Sequence, residues 1–256
     1  MAMNIPRALS PRLLAPLRRT AVPGPLAIPS HKASLCSVPA NPATCPDTLT
    51  ALLKRNKAWA ARTALQHPCL FPELADGQEP EILWIGCSDS RCPETTLLDL
   101  RPGDVFVHRN IANVLHPSDL SSSAVIEYAV RHLHVKHVVL CGHTNCGGVA
   151  AAMGDKSLGI LDPWLLPLRE LREAHQDRLD SLPPNKAALT LVELNVLAGV
   201  KTLRRMNVVS EAIRKGLKVY GLVYDVGSGI LQELVSSKTD KMIKRQFTSE
   251  SFKSDL

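Results

Sequence analysis

Ile82-Leu83-Trp84-Ile85-Gly86-Cys87-Ser88-Asp89-Ser90-Arg91 is the stretch from which the rest of the chain can be read. Its first four residues are apolar, with Pro80 shortly before them and Gly86 directly after. A short apolar run between breakers is the pattern of a fully buried strand, although periodicity alone leaves a piece of buried helix open. A thiol, a carboxylate and a guanidinium follow at 87, 89 and 91. Open α/β sheets gather ligands in the crevice beyond the carboxyl ends of their strands, so a reactive cluster there points to a site.

A second stretch has the same form. Val138-Val139-Leu140 is followed by Cys141-Gly142-His143-Thr144-Asn145-Cys146-Gly147-Gly148. If the two strands are parallel neighbours, Cys87, His143 and Cys146 leave the same edge of the sheet. Two thiolates and an imidazole suit a borderline-soft ion such as zinc. Three protein ligands leave one position for water, which marks a catalytic site and not a closed structural one. Zinc lowers the pKa of such a water to about 7, making hydroxide available near neutral pH. Seen alone, any one of these thiols is more often packing than ligand, because free Cys is among the most buried residue types. Asp89 and Arg91, two apart, would lie on one side of an extended segment. Their plainest reading is a structural ion pair.

These motifs, with Val105 to Asn113 and the stretch from Ala124 to Val130 between them, resemble the β-class carbonic anhydrases, in order and in spacing, over about residues 48–235. The resemblance implies a zinc enzyme that hydrates carbon dioxide to bicarbonate, with one zinc per chain on Cys87, His143 and Cys146. It implies that Asp89 and Arg91 form a catalytic dyad, Arg91 holding the carboxylate away from the metal. Gln78, Phe106, Tyr128 and Gly147 match substrate-cleft positions, Gln78 pointing into a partner's active site. Trp84, Arg109 and Tyr224 match the non-catalytic bicarbonate pocket of the bicarbonate-inhibited branch, where Cys92 stands in place of a frequent Val. The resemblance also implies a homodimer or tetramer with an N-terminal helical arm. Two other classes stay open on the residues alone. One is a hydrolase of carbon disulfide or carbonyl sulfide on the same scaffold. The other is a non-enzymatic zinc or redox module, against which the Asp89–Arg91 pair argues.

The remaining chain is organised around this centre. Its 256 residues are 45% hydrophobic, enough for one sizeable α/β core. Seven Cys with no small-scaffold spacing fit a reducing compartment and metal use better than a disulfide framework. The net charge of +6 is concentrated at the start: residues 1–46 hold Arg7, Arg12, Arg18, Arg19 and Lys32 and no acid. The other residues carry 25 Lys and Arg against 24 Asp and Glu, so no nucleic-acid partner is indicated. An Arg-rich, Ser-containing, acid-free leader is the composition of a transit peptide and predicts a mitochondrial address, with a plain tail on a cytoplasmic protein as the alternative. Prolines from Pro23 to Pro46 make its linker. No apolar run approaches the roughly 18–20 residues that span a bilayer, which predicts a soluble chain.

From 47 to 237 the pattern predicts one enzyme domain, with a polar tail over 238–256. Asp47 opens a helix that Pro68 stops. Strands are expected over 82–86, 105–107, 137–141 and 219–226, and helices over 121–133, from Gly147 and over 165–182. Leu189, Val192, Val196, Val200 and Leu203 step as one amphipathic, core-facing stripe. Helices alternating with short apolar strands predict an α/β fold, a central mostly parallel sheet flanked by helices. There is no Gly-rich nucleotide loop.

Overall fold

Parallel strands covered on both faces need apolar side chains on both, and this sheet is built from runs of that kind. The structure, a computed structural model, describes residues 48–116 and 118–235. The leader, its linker, the capping position Asp47 and the tail from 238 lie outside the described residues.

Helix α1 (Thr48–Gln66) forms over the expected stretch and ends ahead of Pro68. None of its residues is buried, and Leu49, Leu53 and Leu65 are exposed. It falls in a different compact unit from the residues beginning at His67. That second unit runs α2 (Leu70–Asp76), β1 (Ile82–Cys87), α3 (Glu94–Leu97), β2 (Val105–Asn110), α4 (Leu120–Glu127) and β3 (His137–His143). It continues with α5 (Gly147–Met153), α6 (Leu161–Ala174), α7 (Gln176–Asp180), α8 (Pro184–Arg205), α9 (Asn207–Arg214), β4 (Lys218–Asp225) and β5 (Ile230–Val235).

The strand order is β2-β1-β3-β4-β5, with β1 to β4 parallel and β5 antiparallel to β4. The mostly parallel, helix-flanked sheet is therefore present as expected. From β1 the chain moves to one side for β2 and to the other for β3, which makes the β1–β3 pair a topological switch point. Ile85 lies opposite Leu140, so the two strands end side by side at Cys87 and His143.

One sheet face buries Leu83, Ile85, Val138 and Leu140 against Leu191, Val196, Val200 and Leu203 of α8. Each such side chain contributes about 1.5–3 kcal/mol when fully buried. Close seating of α8 depends on Gly199, where an added Cβ would stand 2.3 Å from Leu140 Cδ2. The opposite face buries a smaller set, Trp84, Cys92, Val139, Cys141 and Tyr224.

Several expectations are corrected. Leu189 is 36% exposed while Leu191 is fully buried, so the core stripe of α8 lies beside the predicted one at its first position. The helix over 121–133 is α4 followed by a π-helical turn at Tyr128–His132. Its start is capped by Asp119, which accepts from the backbone N–H groups of Ser121 and Ser122. The helical stretch over 165–182 is two helices, α6 and α7, and opens earlier, at Leu161. Among the described residues no helix is long and apolar enough to cross a membrane.

Candidate metal centre

Strands β1 and β3 deliver Cys87 and His143, and Cys146 immediately precedes α5. The ligand atoms of these three residues all lie within 4.8 Å of one another, and all three side chains are buried. The Cys87 and Cys146 Sγ atoms are 4.0 Å apart. His143 Nδ1 is 2.9 Å from the Thr144 carbonyl oxygen. A carbonyl can only accept, so Nδ1 carries the hydrogen and Nε2 presents its lone pair. That Nε2 is buried and has no hydrogen-bond partner. A buried imidazole nitrogen left bare is costly unless something else meets it. Two sulfurs and this lone pair are a donor set that fits zinc.

The thiols are unequal. The close contact with Cys146, with backbone N–H groups of Asp89 and Ala112, holds the Cys87 thiol below its usual range. The same contact, with burial, pushes Cys146 up. Ala112 reaches Cys87 from a turn in which Ala112 and Asn113 both take positive φ, 58° and 47°. Gly148 lets α5 approach that turn, because a Cβ there would stand 2.9 Å from the Ala112 Cβ. Gly147, the first residue of α5, has open space where a side chain would be.

Asp89 and Arg91 do meet, but not by strand alternation. Residues 88–91 leave β1 in a turn, in which the Arg91 N–H donates to Asp89 Oδ1 at 2.9 Å. The Arg91 guanidinium donates through Nε to Oδ1 at 2.9 Å and through Nη2 to Oδ2 at 2.7 Å. This grip holds the Asp89 carboxyl well below the usual carboxylate range. Arg91 Nη2 also donates to the Asn145 carbonyl at 3.0 Å, tying the dyad to the loop between His143 and Cys146. Asp89 Oδ2 lies 3.8 Å from His143 Nε2, so the carboxylate faces the three-ligand cluster.

The other anticipated residues divide into groups. Phe106 and Tyr128 stack, their ring centroids 5.7 Å apart, with Tyr128 half exposed. Gln78 is exposed and lines a hollow of about 450 Å³ with Leu70, Leu74 and Arg101, a lining that includes none of the three ligands. Trp84 and Tyr224 share the smaller buried cluster with Cys92, whose thiol burial pushes up to about 11. Arg109 is committed elsewhere: Nε donates to the Cys87 carbonyl at 2.8 Å and Nη2 to the Asp89 carbonyl at 2.5 Å. Buried Glu94 faces that guanidinium at 3.8 Å. Sequence reasoning missed Ala112, Glu94, Thr144 and Asp225. Ala112, Thr144 and Asp225 act through a turn or a strand end and Glu94 from the four-residue helix α3, where no hydrophobic period marks them.

Known proteins resemble this chain closely. A family model described as carbonic anhydrase matches residues 82–231. A carbonic anhydrase of Emericella nidulans is 45% identical over 186 residues, 72% of this chain and 82% of the relative. One from Candida albicans is 41% identical over 192 residues, 73% of this chain and 68% of the relative. The crystal structure of the β-carbonic anhydrase CafA of Aspergillus fumigatus is similar at 62% identity and a TM-score of 0.75, covering 82% of this chain and 100% of that one. One of two tetrameric β-carbonic anhydrases of Sordaria macrospora is similar at 53% identity and a TM-score of 0.72, covering 73% of this chain and 97% of that one.

Proposed function

The chain belongs to the β-class carbonic anhydrases, and from that premise we propose that Cys87, His143 and Cys146 hold its zinc, one ion per chain. The enzyme catalyses the zinc-dependent reversible hydration of carbon dioxide to bicarbonate and a proton. The observation that carries the site assignment is the buried, unpartnered Nε2 of His143 among two buried sulfurs. Zinc bound there lowers the pKa of water, so that hydroxide is present near neutral pH.

The rest of the chemistry falls to side chains of this chain. Asp89, kept ionised by Arg91, can only accept, and it orients the reacting water by taking a hydrogen bond from it. Arg91 grips both carboxylate oxygens and so keeps Asp89 from becoming a ligand itself. Phe106 and Tyr128 are proposed to form an apolar wall of the carbon dioxide cleft, with Gly147 beside the second thiolate and Gln78 supplied to a partner's site. Assembly as a homodimer or tetramer follows from that use of Gln78, and light scattering on an active sample should give such a mass, a monomer refuting it. Trp84, Arg109 and Tyr224 are proposed as a bicarbonate pocket, supported by the shared cluster of Trp84 and Tyr224. Residues 1–46 are proposed to direct the protein to mitochondria; a diffuse cytosolic signal from a fluorescent fusion would refute that.

Metal analysis beside a hydration assay tests the ligand set. Cys87→Ser, His143→Ala and Cys146→Ser should each lose zinc and activity together. Full zinc occupancy in any of them overturns the assignment.

A further inference from the structure

An imidazole ligand works only when its other nitrogen is fixed, and in metal sites that second contact tunes affinity. Here the fixing group is the Thr144 carbonyl, the next residue along the chain. A carbonyl at a strand end is only as steady as its own residue, so what holds Thr144 matters.

Thr144 is held on three sides. Its N–H donates to the Tyr224 carbonyl at 2.9 Å. Its hydroxyl donates to Asp225 Oδ1 at 2.9 Å and accepts from the Val226 N–H at 3.0 Å. The Asp225 carboxylate also accepts from the Gly227 N–H at 3.2 Å and from the Ser228 hydroxyl at 2.6 Å. Those contacts, Ser228 first, then Gly227 and Thr144, hold its pKa below the usual carboxylate value. The end of β4 thereby clamps the residue that orients His143, although positions 144 and 225 are far apart in sequence. The residue after Thr144, Asn145, takes a positive φ of 55° and leads directly to Cys146. A shift of Thr144 would therefore reach both His143 and Cys146.

We infer that Asp225 is a positioning residue for the zinc site, acting through the Thr144 hydroxyl to fix the carbonyl that sets the tautomer and orientation of His143. This rests on His143 being a zinc ligand. The ordinary alternative is that Asp225 only shapes the turn between β4 and β5, through Gly227 and Ser228.

The two roles separate in the rate at which the full-length, zinc-loaded protein gives up its metal to a chelator. Thr144→Val keeps the shape and the backbone contacts but loses both hydroxyl bonds, and Asp225→Ala removes the carboxylate. Each should release zinc about 10- to 100-fold faster than wild type. Thr144→Ser should stay within about threefold, and so should Asp225→Asn, which retains Oδ1 as acceptor. Ser228→Ala, which touches only the turn side, should also stay within about threefold. Because Asp225 acts through Thr144, the Asp225→Ala/Thr144→Val double variant should release no faster than the worse single one. Wild-type release from Thr144→Val, or release from Ser228→Ala as fast as from Thr144→Val, overturns the inference. If Thr144→Val does not fold, equal release by Asp225→Ala and Asp225→Asn overturns it instead. His143→Ala is the control: full zinc retention there would refute the ligand assignment, not the clamp.

Discussion

Arg91 grips Asp89 on both carboxylate oxygens, and the charge state of Asp89 follows from that. A carboxyl whose folded pKa is depressed stabilises the fold at pH above its unfolded value of about 3.9 and loses that contribution as pH falls through the folded pKa. Asp89 therefore does not titrate between pH 6.5 and 8.5, and the neutral pH dependence of the enzyme must arise elsewhere. Asp89→Asn should lower the hydration rate by about 10²-fold or more, by the same factor across that range. A stopped-flow series in which the ratio of variant to wild type drifts with pH would show that Asp89 itself titrates. At this scale much is legible in advance. Cys87 and His143 announce themselves because reactive types stand at the ends of apolar runs, and Cys146 by its His-x-x-Cys spacing. Thr144 and Asp225 do not, since their importance lies in a contact between two strand ends that no local pattern encodes. The Asp89–Arg91 contact is legible as a pair, yet its cause is a turn bond from the Arg91 N–H, which spacing alone does not reveal.

Elements obey the same rule: what is buried on every side can be read, and what is half-covered cannot. β1 and β3 carry apolar runs because both faces are buried, one against α8 and the other in the smaller cluster around Trp84 and Val139. β5, Ile-Leu-Gln-Glu-Leu-Val on the antiparallel edge, carries polar residues among its apolar ones and shows no such run. α3 is only four residues long, too short for any helical period to appear. The α8 stripe is legible in direction and shifted at its start, where Leu189 and Leu191 are both Leu and sequence offers no choice between them. The structure chooses Leu191, which is fully buried against Leu189 at 36% exposure. Leu191→Ala should therefore cost about 2–5 kcal/mol of stability, as a large-to-small core change does. Leu189→Ala should cost less than about 1 kcal/mol. Urea midpoints of the two variants decide it, and equal losses would mean that the seating of α8 on the sheet is other than described.

For the whole molecule the open question is whether bicarbonate regulates the enzyme, and Arg109 gives the physical reason to ask. Its guanidinium holds the carbonyls of Cys87 and Asp89, the segment that carries one proposed ligand and the proposed catalytic carboxylate. An anion drawn to Trp84, Tyr224 and Arg109 would pull the guanidinium away from those carbonyls. Binding would therefore loosen the Asp89 segment and favour a second state in which Asp89 turns to the metal. A ligand shifts two states only by its differential affinity for them, and here the difference is the set of carbonyl bonds Arg109 gives up. Falling pH would act in the same direction, because zinc held by Cys87, His143 and Cys146 would then supply less hydroxide. Inhibition by bicarbonate and loss of activity should then appear together below about pH 8, steeply in both proton and bicarbonate concentration, as a population shift requires. Tyr224→Phe removes one donor while leaving the Arg109 bonds in place, so it should relieve bicarbonate inhibition with zinc still bound. Arg109→Ala should relieve it too, but at the cost of the bonds that steady Cys87 and Asp89, so its basal rate should fall. If wild-type activity is flat from about pH 8.5 to about 6.5 and bicarbonate acts only as product, then Trp84 and Tyr224 are core packing and Arg109 is a brace for the β1 end alone.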